Sequence, residues 1–187
     1  MNLDELKKGC EACRKCALGS SRKNSVFERG SRQAKLMLVG EAPGGKEDET
    51  GIPFVGAAGQ LLDKYLEAVG IDREEVYICN ILKCRPPQNR DPLPEEQEAC
   101  MDHLRAQVRQ VKPRMIVCLG RIAAMRLISP DYKITKEHGQ FTFKDGMWMT
   151  AIYHPAALLR DPHKKPDTFV DLKALQAKIQ EVCDHTY

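Results

Sequence analysis

Four short apolar runs, each followed by a segment of helical period, restrict this chain more than any other feature. The runs are AKLMLVG (34–40), EEVYICN (74–80), RMIVCLG (114–120) and WMTAIYH (148–154). Near-continuous apolar character, without polar alternation, marks strands covered on both faces, as in parallel sheets. After the first run, AAGQLLDKYLEAVG sets Leu61, Leu62, Tyr65, Leu66 and Val69 at helical spacing and stops at Gly70. PEEQEACMDHLRAQVRQV opens with Pro94 and acids, GRIAAMRLI follows the third run directly, and DTFVDLKALQAKIQEV stands behind Asp167 as its expected cap. This alternation predicts an α/β sandwich with a mainly parallel sheet. Ligands of such sheets gather beyond the carboxyl ends of the strands. GEAPG, Asn80, Gly120 and His154 all fall at those ends.

At 187 residues the chain is long enough for a real core and is expected to form one domain over 1–187. No apolar run approaches the roughly 20 residues that span a bilayer, so no membrane association is expected. MNLDELKKGCEAC lacks the apolar stretch of a signal peptide, which predicts a cytoplasmic protein. A net charge of +3 says little about nucleic acid. Local clusters say more: Lys83, Arg85 and Arg90 surround one loop, and Arg160, His163, Lys164 and Lys165 follow His154. Either cluster alone reads as a solvated loop, but two of them beside one site would suit phosphates.

Eight cysteines are many for a reducing compartment, where metal or redox chemistry explains them better than disulfides. Cys79 and Cys118 lie in apolar runs and read as core, and Cys183 lies near a terminus and needs no role. CEACRKC is polar and belongs to no strand. Cys13, Cys16, Cys84 and Cys100 provide a C-x2-C pair and a C-x15-C pair, enough thiolates for a zinc site or an iron–sulfur cluster. Spacing does not separate the two, and Cys10 competes with Cys13 and Cys16 for the first pair.

VGEAPGGKEDETGIPFVGAAGQLL is the densest segment. Gly40, Gly44 and Gly45 permit a tight turn, and Gly51, Pro53, Gly56 and Gly59 shape a second loop that presents Phe54. A Phe in an exposed loop suggests a stacking surface for a planar ring. The segment lacks the Lys-Ser/Thr ending of a phosphate-binding Walker loop. Asn80 offers the paired donor and acceptor that read a pyrimidine edge, although alone it could simply end a strand. His154 could likewise be structural before Pro155, or could donate to an oxygen gaining charge during reaction.

With these residues together, the chain resembles the family 4, iron–sulfur branch of the uracil-DNA glycosylases over nearly its whole length. The resemblance is carried by GEAPG…EDETGIPFVGAAGQLL, by NILKCRPPQNRDPLPEEQEAC, and by HPAALLR. It implies a three-layer αβα sandwich around a four-stranded, mainly parallel sheet. It further implies excision of uracil from single- or double-stranded DNA by N-glycosidic hydrolysis, leaving an abasic site. A monomer is expected. Other members of the superfamily remove other deaminated bases, and a non-catalytic iron–sulfur DNA-binding module is a second alternative.

The resemblance implies a 4Fe–4S cluster held by Cys13, Cys16, Cys84 and Cys100, structural in role, and leaves Cys10 without a counterpart. It maps the uracil pocket onto Gly40, Glu41, Ala42 and Pro43, with Phe54 stacking on the base, Asn80 reading its edge and His154 approaching O2. The best-known branch of the superfamily carries a water-activating aspartate where this chain has Ala42, so Glu41 becomes the nearest acid for positioning water. A flipped nucleotide leaves a gap in the stack. Leu158 is the expected wedge, supported by Leu159, while Arg160, Lys164 and Lys165 grip phosphates.

Overall fold

The computed structural model describes residues 1–183 and contains one six-stranded sheet. In chain order the strands are β1 (Arg29–Gly30), β2 (Leu36–Gly40), β3 (Tyr77–Asn80), β4 (Met115–Leu119), β5 (Thr142–Lys144) and β6 (Met147–Ile152). Their spatial order is β1-β3-β2-β4-β6-β5. The inner four strands are parallel and are the four apolar runs; β1 and β5 add antiparallel edges. Sheet size is therefore a correction to the expected four strands, while the parallel centre stands.

Nine α-helices flank and connect the strands: α1 (Leu3–Glu11), α2 (Leu18–Ser21), α3 (Gly45–Thr50), α4 (Ala57–Ala68), α5 (Pro94–Val111), α6 (Arg121–Leu127), α7 (Ile134–Glu137), α8 (Pro155–Arg160) and α9 (Lys165–Val182), counted among the described residues. Successive side chains of a strand point to opposite faces, and the two apolar clusters divide accordingly. Met37 and Val39 pack with Leu104, Ala123 and Ala124 on the α1, α5 and α6 side. Leu36 and Leu38 pack with Leu62, Leu66, Leu172 and Leu175 on the α4 and α9 side. This is the three-layer αβα sandwich. Among the described residues no helix is long and apolar enough to cross a membrane.

Asp167 does not cap α9. The helix begins two residues earlier, with Lys164 at its cap and Pro166 in its first turn, where a missing N–H costs nothing. Cys79 and Cys118 are core residues as expected, and Cys183 joins the second cluster. The chain moves outward from β2 in both directions, to β3 on one side and β4 on the other. That reversal opens a crevice at the carboxyl ends of the strands.

Candidate active site and cysteine cavity

A cleft of about 450 Å³ lies at that crevice, within the usual range for small-molecule sites. Glu41, Ala42, Pro43 and Gly44 line it from the loop after β2, Phe54 from the loop before α4, Asn80 from the end of β3, and His154 and Arg160 from α8. The loop after β2 is held to the sheet: the Ile81 and Leu82 N–H groups donate to the Gly40 and Glu41 carbonyls at 2.9 and 3.0 Å. Gly40 lies behind the wall, where a Cβ would stand 2.5 Å from both Asn80 Oδ1 and the Phe54 ring. No larger residue fits there without displacing both.

Asn80 is 1% exposed and its Oδ1 is buried without a hydrogen-bond partner, an expensive state unless a ligand supplies the donor. His154 caps α8, and its Nδ1 accepts the Ala156 N–H at 3.0 Å. Burial, and secondarily the Arg160 charge, push its pKa down to about 4. The neutral ring stands 5.7 Å from the Phe54 ring, centroid to centroid. Glu41 is pushed up, first by burial and then by the nearby Asp91 charge, with Arg121 and Arg160 opposing.

A second cavity is lined by Cys10, Cys13, Cys16, Cys84 and Cys100, together with Lys83 and His103. Its walls come from α1, the turn after it, the loop after β3, and α5. None of these five cavity cysteines is in a disulfide. Among the described residues no three His, Cys, Asp or Glu side chains converge as they would on a single ion; the thiols ring a space instead. Burial pushes Cys84 up to about 12 and Cys10 up to about 11, and raises Cys100 as well. Such thiols ionise only against strong compensating charge. The Lys83 N–H already donates to Cys100 Sγ at 3.3 Å, and His103 Nε2 is buried without a partner. Apolar thiols, an amide donor to sulfur and an idle imidazole nitrogen fit an iron–sulfur cluster held by thiolates.

The sequence model of the uracil DNA glycosylase superfamily matches residues 27–176. A type-4 uracil-DNA glycosylase of Archaeoglobus fulgidus is 43% identical over 97% of this chain and 94% of its own length. One from Thermotoga maritima is 44% identical over 80% of this chain and 79% of its own. The chain belongs to the type-4 uracil-DNA glycosylases. A type-5 uracil-DNA glycosylase of Pyrobaculum aerophilum is 34% identical over 69% of this chain and 64% of its own length.

Within this type-4 glycosylase, the pocket residues expected from sequence converge, but three expectations change. Leu158 is not an exposed wedge: it is 1% exposed, because α8 packs against α4 and turns this residue inward. Leu159, one position on, is 47% exposed. Phe54 is buried, not displayed on an open loop, and faces the cleft from inside. Lys83 belongs to no surface cluster. It is fully buried and its ammonium donates to the Asn80 carbonyl at 2.7 Å, while Arg90 is engaged by Glu96 and Arg85 by Asn89. Arg160 is exposed at the cleft, whereas Lys164 pairs with Asp161 at 3.3 Å and lies over the Tyr153 ring.

Sequence reasoning passed over Glu47, whose carboxylate accepts the Val55, Gly56 and Gly44 N–H groups at 2.9, 2.7 and 3.1 Å and staples both loops of the cleft. Its signal was an acid three residues past Gly44 at the start of a helix. Asn89, which also lines the cleft, carried no local signal beyond a turn-forming residue.

Proposed function

We propose that this glycosylase excises uracil chiefly by stabilising the base as it departs with the bonding electrons. The C1′–N1 bond breaks heterolytically, uracil leaves as an anion, and the sugar gains oxocarbenium character. Water adds to C1′ and gives up a proton, and an abasic site remains. The observation that carries this reading is the state of His154. With Nδ1 accepting from Ala156 and the ring neutral, the proton lies on Nε2, which donates to uracil O2 as negative charge develops. Asn80 supplies selectivity: Oδ1 accepts the N3–H of uracil and Nδ2 donates to O4, a pattern that cytosine reverses. Phe54 stacks on the ring, Glu41, Ala42 and Pro43 form the facing wall, and Gly40 lies behind it, leaving room for Phe54 and Asn80. Glu41, with its raised proton affinity, is the acid best placed to position water.

The cysteine cavity supports a 4Fe–4S cluster held by Cys13, Cys16, Cys84 and Cys100, with Cys10 outside the set. When bound, that group ties the N-terminal segment to the loop after β3 and to α5. The substrate is uracil in single- or double-stranded DNA, met by a cytoplasmic monomer, with Arg160, Lys164 and Lys165 facing phosphates and Leu159 replacing Leu158 in the gap left by the flipped nucleotide.

Single-turnover excision from uracil-containing oligonucleotides, read as abasic-site cleavage, tests the mechanism. His154→Ala is expected to slow the chemical step by roughly 10²–10³-fold, the scale of losing one donor to a developing oxyanion. An unchanged rate removes His154 from it. For the cofactor, pure protein is expected to be brown and to contain iron. Serine at Cys13, Cys16, Cys84 or Cys100 bleaches it, and Cys10→Ser does not. Zinc without iron after anaerobic preparation overturns the assignment.

A further inference from the structure

Phe54 holds a backbone conformation that phenylalanine rarely adopts, φ 55°, in the left-handed region. Two features keep it there. The start of α4 lies so close that a Cβ on Gly59 would stand 1.8 Å from the Phe54 carbonyl oxygen. Opposite, Arg73 fans its guanidinium over the same turn. Nη2 donates to the Phe54 and Pro53 carbonyls at 2.7 and 3.2 Å, and Nη1 donates to the Gly59 carbonyl at 3.2 Å and pairs with Asp63. Arg73 is 8% exposed and does not line the cleft. It sits in a short 3-10 turn (Arg73–Glu75) just before β3, the strand that ends on Asn80.

We propose that Arg73 is a positioning residue for the base pocket, clamping the Phe54 turn to the first turn of α4 through the Pro53, Phe54 and Gly59 carbonyls so that the ring is preset to stack on uracil. The proposal rests on the stacking role of Phe54. The Pro53 and Phe54 carbonyls lie in a turn outside any helix and need partners, since a buried unpaired one costs as much as a lost hydrogen bond, while the Gly59 carbonyl ties the same guanidinium to the first turn of α4. A planar, five-donor guanidinium reaches all three; an ammonium is a point charge and does not. Burial holds the Arg73 pKa down at about 10, so the group is still a cation at neutral pH. One anchor thereby fixes both the stacking loop and the entry to the strand that carries the base-reading amide.

Free uracil, used as a competitive inhibitor, probes the pocket without the grip on DNA. Arg73→Lys keeps the charge facing Asp63 but loses the fan. It is expected to raise the uracil inhibition constant roughly tenfold, the scale of one charge-assisted hydrogen bond, and to raise KM more than it lowers kcat. Arg73→Gln, with a single amide nitrogen in place of the guanidinium fork, serves as a second variant with the same expectation. In a Phe54→Ala background neither substitution should weaken uracil further. A lowered melting temperature with an unchanged inhibition constant makes Arg73 scaffold only and overturns the proposal. Phe54→Ala with unchanged uracil affinity instead sinks the stacking reading itself. Asp63→Asn spares the carbonyl bonds and should change the constant by no more than about twofold; a full tenfold loss would place the effect in the ion pair and overturn the carbonyl clamp.

Discussion

His154 is neutral because it is half-buried beside a cation, and that sets a pH response. Its folded pKa of about 4 lies below the ordinary 6.5, so between those values the unfolded chain binds more protons than the folded one. Stability from this residue is therefore complete above about pH 6.5 and is lost progressively as pH falls toward 4, on the order of 3 kcal/mol in all. Thermal melts are expected to show this acid loss in the parent and a smaller one in His154→Gln. On His154's account the excision rate should be flat from roughly pH 5.5 to 8; an inflection near neutrality that disappears in His154→Gln would mean that the ring titrates and is no fixed donor. Asn80→Asp should weaken uracil excision and admit cytosine, and Asn80→Ala cleaving uracil at the parental rate would end the base-reading role. Asn80 and His154 were legible in sequence because each terminates an apolar run, where parallel strands deliver ligand groups. Arg73 was not legible. It is one arginine in an REE turn, nineteen residues along the chain from the Phe54 carbonyl it holds.

At the scale of elements, α8 separates two adjacent leucines by function. Leu158→Ala removes a buried side chain and should cost about 2–5 kcal/mol of stability with little substrate preference. Leu159→Ala should leave the melting temperature nearly unchanged and slow excision from duplex DNA more than from single strands, where there is less stack to open. Equal slowing on both substrates would assign Leu159 to loop packing. Choosing between the two from sequence needed the direction in which α8 meets α4, and a six-residue helix carries too little periodicity to give it. The same shortage hid β1 and β5. The first is Arg29–Gly30, and the second is Thr142–Lys144 with all three side chains exposed; both are recruited by strands already in place. The four parallel strands and the long helices α4, α5 and α9 were readable because burial on one or both faces writes a long pattern.

Across the whole molecule, the base pocket and the cysteine cavity are built on one short piece of chain. Asn80 ends β3, Lys83 follows three residues later, and Cys84 is next. The buried Lys83 side chain holds the Asn80 carbonyl while its own N–H meets Cys100 Sγ. Ala42, in the pocket wall, also packs on Leu18, Leu82, Cys84 and Cys100. Substitution of Cys84 or Cys100 by serine is therefore expected to loosen Asn80 and lower the preference for uracil over cytosine, beyond any loss of stability. Excision measured on paired uracil and cytosine oligonucleotides below the melting temperature checks this, and preserved discrimination would show that the two cavities are independent. The shared segment also bears on how a preparation should be judged. If occupancy of the cysteine cavity varies from molecule to molecule, the sample is a mixture of two selectivities and not one enzyme diluted by dead protein. Uracil turnover should then scale with the filled fraction, while stray cytosine removal scales with the remainder.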